Sequence, residues 1–529
     1  MQRIIVIGNG MVPYRVCAHL RSLDTTVDII WMDFYSRDKY PWFAASRLLL
    51  FDVHPRDWSR QRAAFVVRFP KRAMHLGVQT DWAGRIRINA IDREFSVLTE
   101  TGETTYEYDS LLLFPPLVPA LSPGDRFSFP SSQCMHKLAE MPKNPESAVV
   151  LGDDPLLLQS CFRAAEELTW VRDTHPIWEP EIIFGLEQIA RFKGVKIVAG
   201  QDADSCLSGG TNFSPETPVF FSSALTADQG WMEKTKPEDL CPQKEGIFLQ
   251  IPEKGMRPGM YDPQLWVSAG CKLAEEALRR EPGRICEVPC APESGRVFGR
   301  EIFRVGKTEL ESAPGGDFDL GVYSNCKETK DRQEYIVKML AAKKTGRPVG
   351  FQALGDRACD WGNAFFPVLG RDNGVYDLLT TPLAWKDPGG HPLHEAASII
   401  AAKQNSSAIL NITPAELVAS VREGAEFFLL DLREGSECRE GMLQGAYNIP
   451  FTELKKRVNE IPRFTPLVLY SRSFGRAFEA AVFLRARGAK QLYVLDGGYE
   501  LWPYEQFRRL EPEAQPVFPG GPSRGSCCR

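Results

Sequence analysis

Twice in this sequence a β-branched strand runs into a glycine turn, a helical stretch and a second strand, and this pattern constrains the fold more than any other feature. The first copy is Ile4–Gly10 (IIVIGNG), a helix to about Leu23, then Val27–Asp33 (VDIIWMD). The second is Ala148–Asp154 (AVVLGDD), a helix, then Leu168–Asp173 (LTWVRD). Strands that alternate with helices across short turns pair in parallel, so α/β units with doubly wound parallel sheets are expected. Between the copies, Arg85–Phe114 alternates polar and apolar residues around the turn signal Thr101–Gly102, which predicts antiparallel strands inserted into the first unit. From about Phe298 to Lys403 the composition is mixed, and strand-like Glu334–Gly355 hinges at Lys344–Gly346, which fits an α+β unit. Polar residues around Gln404–Ser407 read as a linker. Thr413-Pro-Ala-Glu416 then has the spacing of a capping box with proline at the first helical position, opening a last domain that runs to about Leu510. The Pro/Gly-rich end, Glu511–Arg529, holds too few apolar residues to fold alone.

A length of 529 residues calls for roughly three or four domains. The net charge is only −5, with 25% charged residues, so the charge balance gives no case for nucleic-acid or membrane partners. The apolar run Leu111–Val118 is broken by prolines and falls short of the roughly 20 residues that span a bilayer. MQRIIVIGNG moves straight into a strand pattern rather than a secretory signal, so a cytoplasmic location is expected. Thirteen cysteines without a CxxC pair suggest reduced thiols. Cys286 and Cys290 have no second pair nearby to complete a zinc set, so no metal site is expected.

In a dinucleotide turn, GxGxxG, the glycines allow a tight turn and close approach of the pyrophosphate, and an acid at the end of the next strand binds a ribose hydroxyl. Gly8, Gly10 and Asp33 supply these parts; Pro13 stands in place of the third glycine, in a first helical turn that tolerates it. The segment is therefore either a nucleotide-binding turn or a purely structural βαβ unit. The second turn, Gly152-Asp153-Asp154-Pro155, puts two carboxylates where a pyrophosphate would lie, so NAD(P)H binding is not expected there.

GNGMVPYR (Gly8–Arg15) and INAIDREFSVLTETGETTYEYDSLLLF (Ile88–Phe114) resemble the pyridine nucleotide-disulfide oxidoreductase family, and within it coenzyme A-disulfide reductases fused to a rhodanese domain. The GNGMV turn is also similar to the flavin domain of nitrite reductases. Val305–Asn325 and Thr345–Gly355 look like the family's dimerisation domain. The resemblance implies two Rossmann-like FAD/NAD(P)-binding units, an α+β dimerisation domain and a C-terminal α/β rhodanese domain. Their expected ranges are 1–140 for the first part of the FAD-binding-like domain, 141–250 for the NAD(P)-binding-like domain and 251–297 for the return to the first. The dimerisation domain follows at 298–403, a linker at 404–412, the rhodanese-like domain at 413–510 and a flexible tail at 511–529. It also implies FAD as cofactor and a homodimer.

The chemistry that the resemblance implies is largely replaced. The family's redox cysteine aligns with Ser46 in Tyr40–Leu50, and a serine forms neither a mixed disulfide nor a flavin-interacting thiolate. The segment that packs near the flavin becomes LLLFPPLVP (Leu111–Pro119). An AGD motif whose aspartate holds the ribityl chain aligns with Ala269-Gly270-Cys271, which puts Cys271 among the cofactor-binding positions. A tyrosine near the partner subunit's site becomes Trp385.

LVLYSRSFGRA (Leu467–Ala477), flanked by DLREGSECREGMLQGAYNIP (Asp431–Pro450) and LDGGYELW (Leu495–Trp502), resembles the rhodanese loop and its surroundings. Ser471 takes the place of the sulfur-carrying cysteine, Phe474 that of a loop glycine and Met442 that of a histidine, so sulfur transfer is expected to be lost. Ser471, Arg472 and Arg476 either form an anion-binding loop at a helix start or are a retained structural loop with two solvated arginines. Cys527 and Cys528 are similar to the cysteine pair ending mercuric reductases, or are an incidental flexible end.

Three functions follow. The first is a degenerate dimer that binds a nucleotide, or a protein partner through the rhodanese domain. The second is an FAD-dependent NAD(P)H oxidoreductase that works without an active-site cysteine. The third is a sulfurtransferase with Cys438 as carrier.

Overall fold

The computed structural model describes most of the chain, apart from residues 34–71, 121–126, 199–216, 228–245, 313–317, 326–334, 385–389, 510–529 and stretches of at most four residues. Ser46, Trp385, Cys290, Cys527 and Cys528 lie outside the described residues. The chain divides into two compact units, Met1–His175 with Lys193–Phe298, and Pro176–Phe192 with Gly299–Arg529.

The first unit holds both predicted parallel sheets. In the six-stranded one the order is Ile285–Val288, Ile247–Pro252, Ser110–Leu113, Arg3–Ile7, Asp28–Asp33 and Gln79–Trp82, every pairing parallel. Its central strands are continuous apolar runs because both faces are covered. Helices Met11–Leu23 and Pro263–Leu278 pack on one face around Trp31, Val16, Leu20 and Leu273. The three-stranded antiparallel insertion, Arg85–Asn89, Glu94–Thr99 and Gly102–Glu107, covers the other face through Phe95 and Val97.

The second sheet orders Lys196–Val198, Leu168–Val171, Ala148–Leu151, Val219–Ser222 and Phe127–Phe129, also parallel. Two boundaries differ from the sequence reading. Strand Phe127–Phe129 already belongs to the second sheet, ahead of the expected start at 141. The return to the first sheet begins at Ile247, ahead of the expected 251, because that strand pairs with Ser110–Leu113. Parallel partners lie far apart in sequence, and local pattern does not mark which sheet a strand joins.

The second unit contains an antiparallel sheet in which Arg300–Gly306, Pro348–Gly355, Tyr335–Ala342 and Phe318–Asn325 are neighbours, covered by helices that include Ala358–Phe365 and Pro392–Asn405. Its C-terminal part is a five-stranded parallel sheet ordered Ile409–Ile412, Leu492–Leu495, Leu467–Tyr470, Phe428–Asp431 and Tyr447–Asn448. The expected linker at 404–412 is therefore mostly ordered structure: the preceding helix runs to Asn405, and Ile409–Ile412 is an edge strand of the last sheet. The predicted capping box is formed. The Glu416 N–H donates to Thr413 Oγ1 at 3.2 Å, and the Thr413 N–H donates to Glu416 Oε2 at 2.8 Å.

Candidate functional site

The first glycine turn joins strand Arg3–Ile7 to helix Met11–Leu23. Gly8 has φ +152°, and a Cβ there would come within 2.7 Å of the Phe114 Cβ, so no side chain fits. Gly10 takes φ 80° as the residue before the helix, which has no side-chain cap. The helix start therefore keeps its amides for other acceptors. Asp33 ends the neighbouring strand, in register one residue beyond Met32, the partner of Ile7. These parts fit a pyrophosphate at this turn.

The second turn differs in its electrostatics. Asp154 caps helix Pro155–Ala164 by accepting the Leu157 N–H at 2.9 Å, and its other oxygen accepts the Ser222 hydroxyl at 2.8 Å. Asp153 and Asp154 are both buried. The chain thus supplies its own carboxylate cap at this helix start.

Both turns share a device that the sequence reading missed. The Trp31 indole donates to the Gly8 carbonyl at 2.8 Å, and the Trp170 indole donates to the Gly152 carbonyl at 3.1 Å. Each tryptophan pairs in register with the penultimate residue of the turn's own strand, Val6 or Val150. Its recurrence in WMD and WVRD was the available signal.

Cys271 is not at a strand end. It is the ninth residue of helix Pro263–Leu278 and packs against the core cluster that the first helix also lines. Burial raises its thiol pKa, and the nearby Arg15 only partly offsets this. The triplet Ala269–Cys271, aligned with an AGD motif, thus lies inside a helix. Phe114 is buried against both Gly8 and Gly270.

In the last domain, Ser471 stands between strand Leu467–Tyr470 and helix Phe474–Arg485, the position expected for the loop nucleophile. Its side chain is fully buried, and among the described residues Oγ has no hydrogen-bond partner. Its carbonyl accepts the Tyr499 N–H at 2.9 Å. Gly498, at φ 62°, lies so close that a Cβ would come within 2.7 Å of the Ser471 carbonyl oxygen. Phe474 is buried in the domain core and stacks on Phe478.

The two loop arginines are not presented as free cations. Arg472 Nε donates to Glu500 Oε2 at 3.3 Å, and Arg476 Nη1 donates to Glu437 Oε2 at 3.3 Å. Around the expected anion-binding set Ser471, Arg472 and Arg476, each arginine thus has a carboxylate beside it. Beneath the loop, Asp431 holds Arg433 through two guanidinium nitrogens and accepts the Tyr470 hydroxyl at 2.7 Å. Cys438 contacts the same carboxylate at 3.6 Å, and burial followed by the Asp431 charge pushes its thiol up to about 12. Such a thiol is not ionised at neutral pH and makes a poor sulfur carrier. Among the described residues seven cysteines are free, no group of acids, histidines and cysteines fits a metal, and no helix is long and apolar enough to cross a membrane.

A rhodanese-like domain model matches residues 413–504. An uncharacterized protein, YqhL of Bacillus subtilis, is 42% identical over 74 residues; these are 14% of this chain, which spans 59% of that relative's length. A sulfurtransferase of Allochromatium vinosum is 30% identical over 88 residues, 17% of this chain and 82% of that protein. Over the whole length, the chain is similar to the reduced CoADR-RHD of Bacillus anthracis, with a TM-score of 0.75 at 16% identity, covering 96% of this chain and 99% of the other. A NAD-dependent persulfide reductase from A. fulgidus gives 0.69 at 18% identity, covering 95% and 100%. A water-forming NADH oxidase of Lactobacillus brevis bound to NADH gives 0.57 at 12% identity, covering 77% and 99%. At such identities the structural likeness establishes the fold.

Proposed function

Because this chain belongs to the rhodanese family through residues 413–504, on a body with the fold of the pyridine nucleotide-disulfide oxidoreductases, we propose that it is a degenerate member that performs no thiol chemistry. In this reading it is a cytoplasmic homodimer that binds a nucleotide, or a protein partner through the rhodanese domain. The observation that carries it is Ser471, an oxygen in place of the sulfur carrier, enclosed and without a partner among the described residues. A hydroxyl holds no sulfane sulfur, and a fully enclosed side chain meets neither donor nor acceptor. Ser46 and the Cys438 environment point the same way.

Incubation with thiosulfate and cyanide is expected to yield no thiocyanate above the uncatalysed rate, and Ser471→Cys alone is expected to remain without turnover because the new thiol stays enclosed. Thiocyanate made by the wild type and abolished by Cys438→Ala would overturn the proposal.

A second reading, an FAD-dependent NAD(P)H oxidoreductase working without an active-site cysteine, draws on the uncapped first turn. There the Gly8–Gly10 backbone and the start of helix Met11–Leu23 would hold the FAD pyrophosphate, with Asp33 near the ribose. Bound FAD would supply two-electron redox chemistry. The self-capped second turn argues against a nicotinamide dinucleotide, whereas one similar structure is bound to NADH. The visible spectrum separates these readings. FAD absorbance retained through gel filtration, bleached by NADH, supports the oxidoreductase; retained absorbance that NADH leaves intact supports a nucleotide-binding degenerate form. A chain that stays colourless after incubation with FAD removes the second reading.

A further inference from the structure

In the second unit three carboxylates converge on one ammonium. Lys338, in the middle of strand Tyr335–Ala342 and fully buried, holds Nζ 2.9 Å from Glu179, 2.8 Å from Glu181 and 2.8 Å from Glu309. Glu179 and Glu181 are buried, and Glu309, on the short helix Glu309–Ser312, is 20% exposed. The Glu309 N–H also donates to Glu179 Oε1 at 2.7 Å, and the Glu179 N–H donates to Gln352 Oε1 at 2.8 Å. The buried amine thus fastens the start of helix Pro180–Phe192 to strand Tyr335–Ala342, and the Glu179 N–H ties it to strand Pro348–Gly355.

A single positive charge balances one carboxylate, and three ionised acids at this range repel one another strongly where water is excluded. The cluster therefore retains a proton. Other charges face it. The Tyr504 hydroxyl feels Glu181, Glu309, Lys338 and Arg422, and Asp496, paired with Lys403, feels Glu309. On the helix itself, Glu187 pairs with Arg191. The held segment, Pro176–Phe192, is the stretch over which the chain leaves the first unit and then re-enters it.

We propose that the Lys338 cluster is a proton-operated latch: with its shared proton it closes on residues 177–192, and loss of that proton adds an uncompensated negative charge that loosens them. Glu181 is the group that gives up the proton. Burial pushes it up to about 7, Lys338 opposes this, and Glu309 and Glu179 add to the rise. An acid raised in the folded state contributes stability that is complete below its ordinary value near 4.5 and is lost as pH climbs through about 7.

The test is amide hydrogen exchange on the full-length protein, with protection of residues 180–192 corrected for intrinsic exchange rates. Local opening is expected to rise about tenfold per pH unit between about pH 5 and 7. Glu181→Gln is expected to flatten that slope, and the milder Glu309→Gln, which removes one repelling charge, to move its midpoint to lower pH. A flat wild-type profile, a slope that survives Glu181→Gln, or a midpoint unmoved by Glu309→Gln each overturns the latch.

Discussion

Replacing Lys338 by methionine is expected to destabilise the second unit by about 3–5 kcal/mol, because it removes the single cation from a buried site and leaves three carboxylates facing one another. For a unit of this size roughly 2–4 °C of melting temperature accompanies each kcal/mol, so a fall on the order of 10 °C follows. Methionine preserves most of the side-chain volume, which separates the charge effect from a cavity. The loss should be larger at pH 8 than at pH 5, since protonation of the carboxylates relieves part of the repulsion. Denaturant melts at the two pH values measure it. A control, Lys196→Met, removes an exposed pair with Glu167 and should leave the midpoint unchanged. Equal midpoints for Lys338→Met and wild type would mean that the cluster does not hold the unit together.

Asp431→Ala is expected to have a comparable effect on the rhodanese domain, about 3–5 kcal/mol. The carboxylate is fully buried, and its removal leaves the Arg433 guanidinium, itself 3% exposed, without its paired charge and the Tyr470 hydroxyl without its acceptor. Arg433 also lies 3.7 Å from the centre of the Tyr499 ring, and the Tyr499 N–H bonds the Ser471 carbonyl, so the damage should reach the loop. Rapid proteolysis within residues 409–504 at a temperature that the wild type withstands would register it. Asp431→Asn retains an acceptor and should fall between the two. If Asp431→Ala melts with the wild type, Asp431 and Arg433 are not the structural anchor that their geometry implies.

These two sites differ in how visible they are in the sequence. Asp431 and Arg433 are two residues apart in a strand-to-turn segment, DLR, that local pattern marks. Glu179 and Lys338 are separated by 159 positions, and nothing near either one signals the other. The same contrast runs through the nucleotide turns. Gly8, Gly10 and the paired carboxylates Asp153 and Asp154 are legible because a glycine turn between strand and helix is a local event. Whether Asp154 repels a ligand or caps its own helix depends on Leu157 and Ser222, and Ser222 comes from another strand. Cys271 shows the reverse failure. A short motif matched by letters falls in the middle of helix Pro263–Leu278, with its Gly270 packed against Val16, Gln250 and Phe114. Arg472 and Arg476 read as free cations until Glu500 and Glu437 were brought beside them.

The sequence by itself determined the order of parallel and antiparallel parts, the capping box at Thr413 and the absence of sulfur at Ser46 and Ser471, because periodicity, turn chemistry and residue identity are local. Tertiary structure alone decided which charges are already answered, that the Ser471 hydroxyl is enclosed, and that one lysine gathers three acids. Those outcomes depend on burial and on pairing between distant strands, and the free energy of a charge is set by what surrounds it in space.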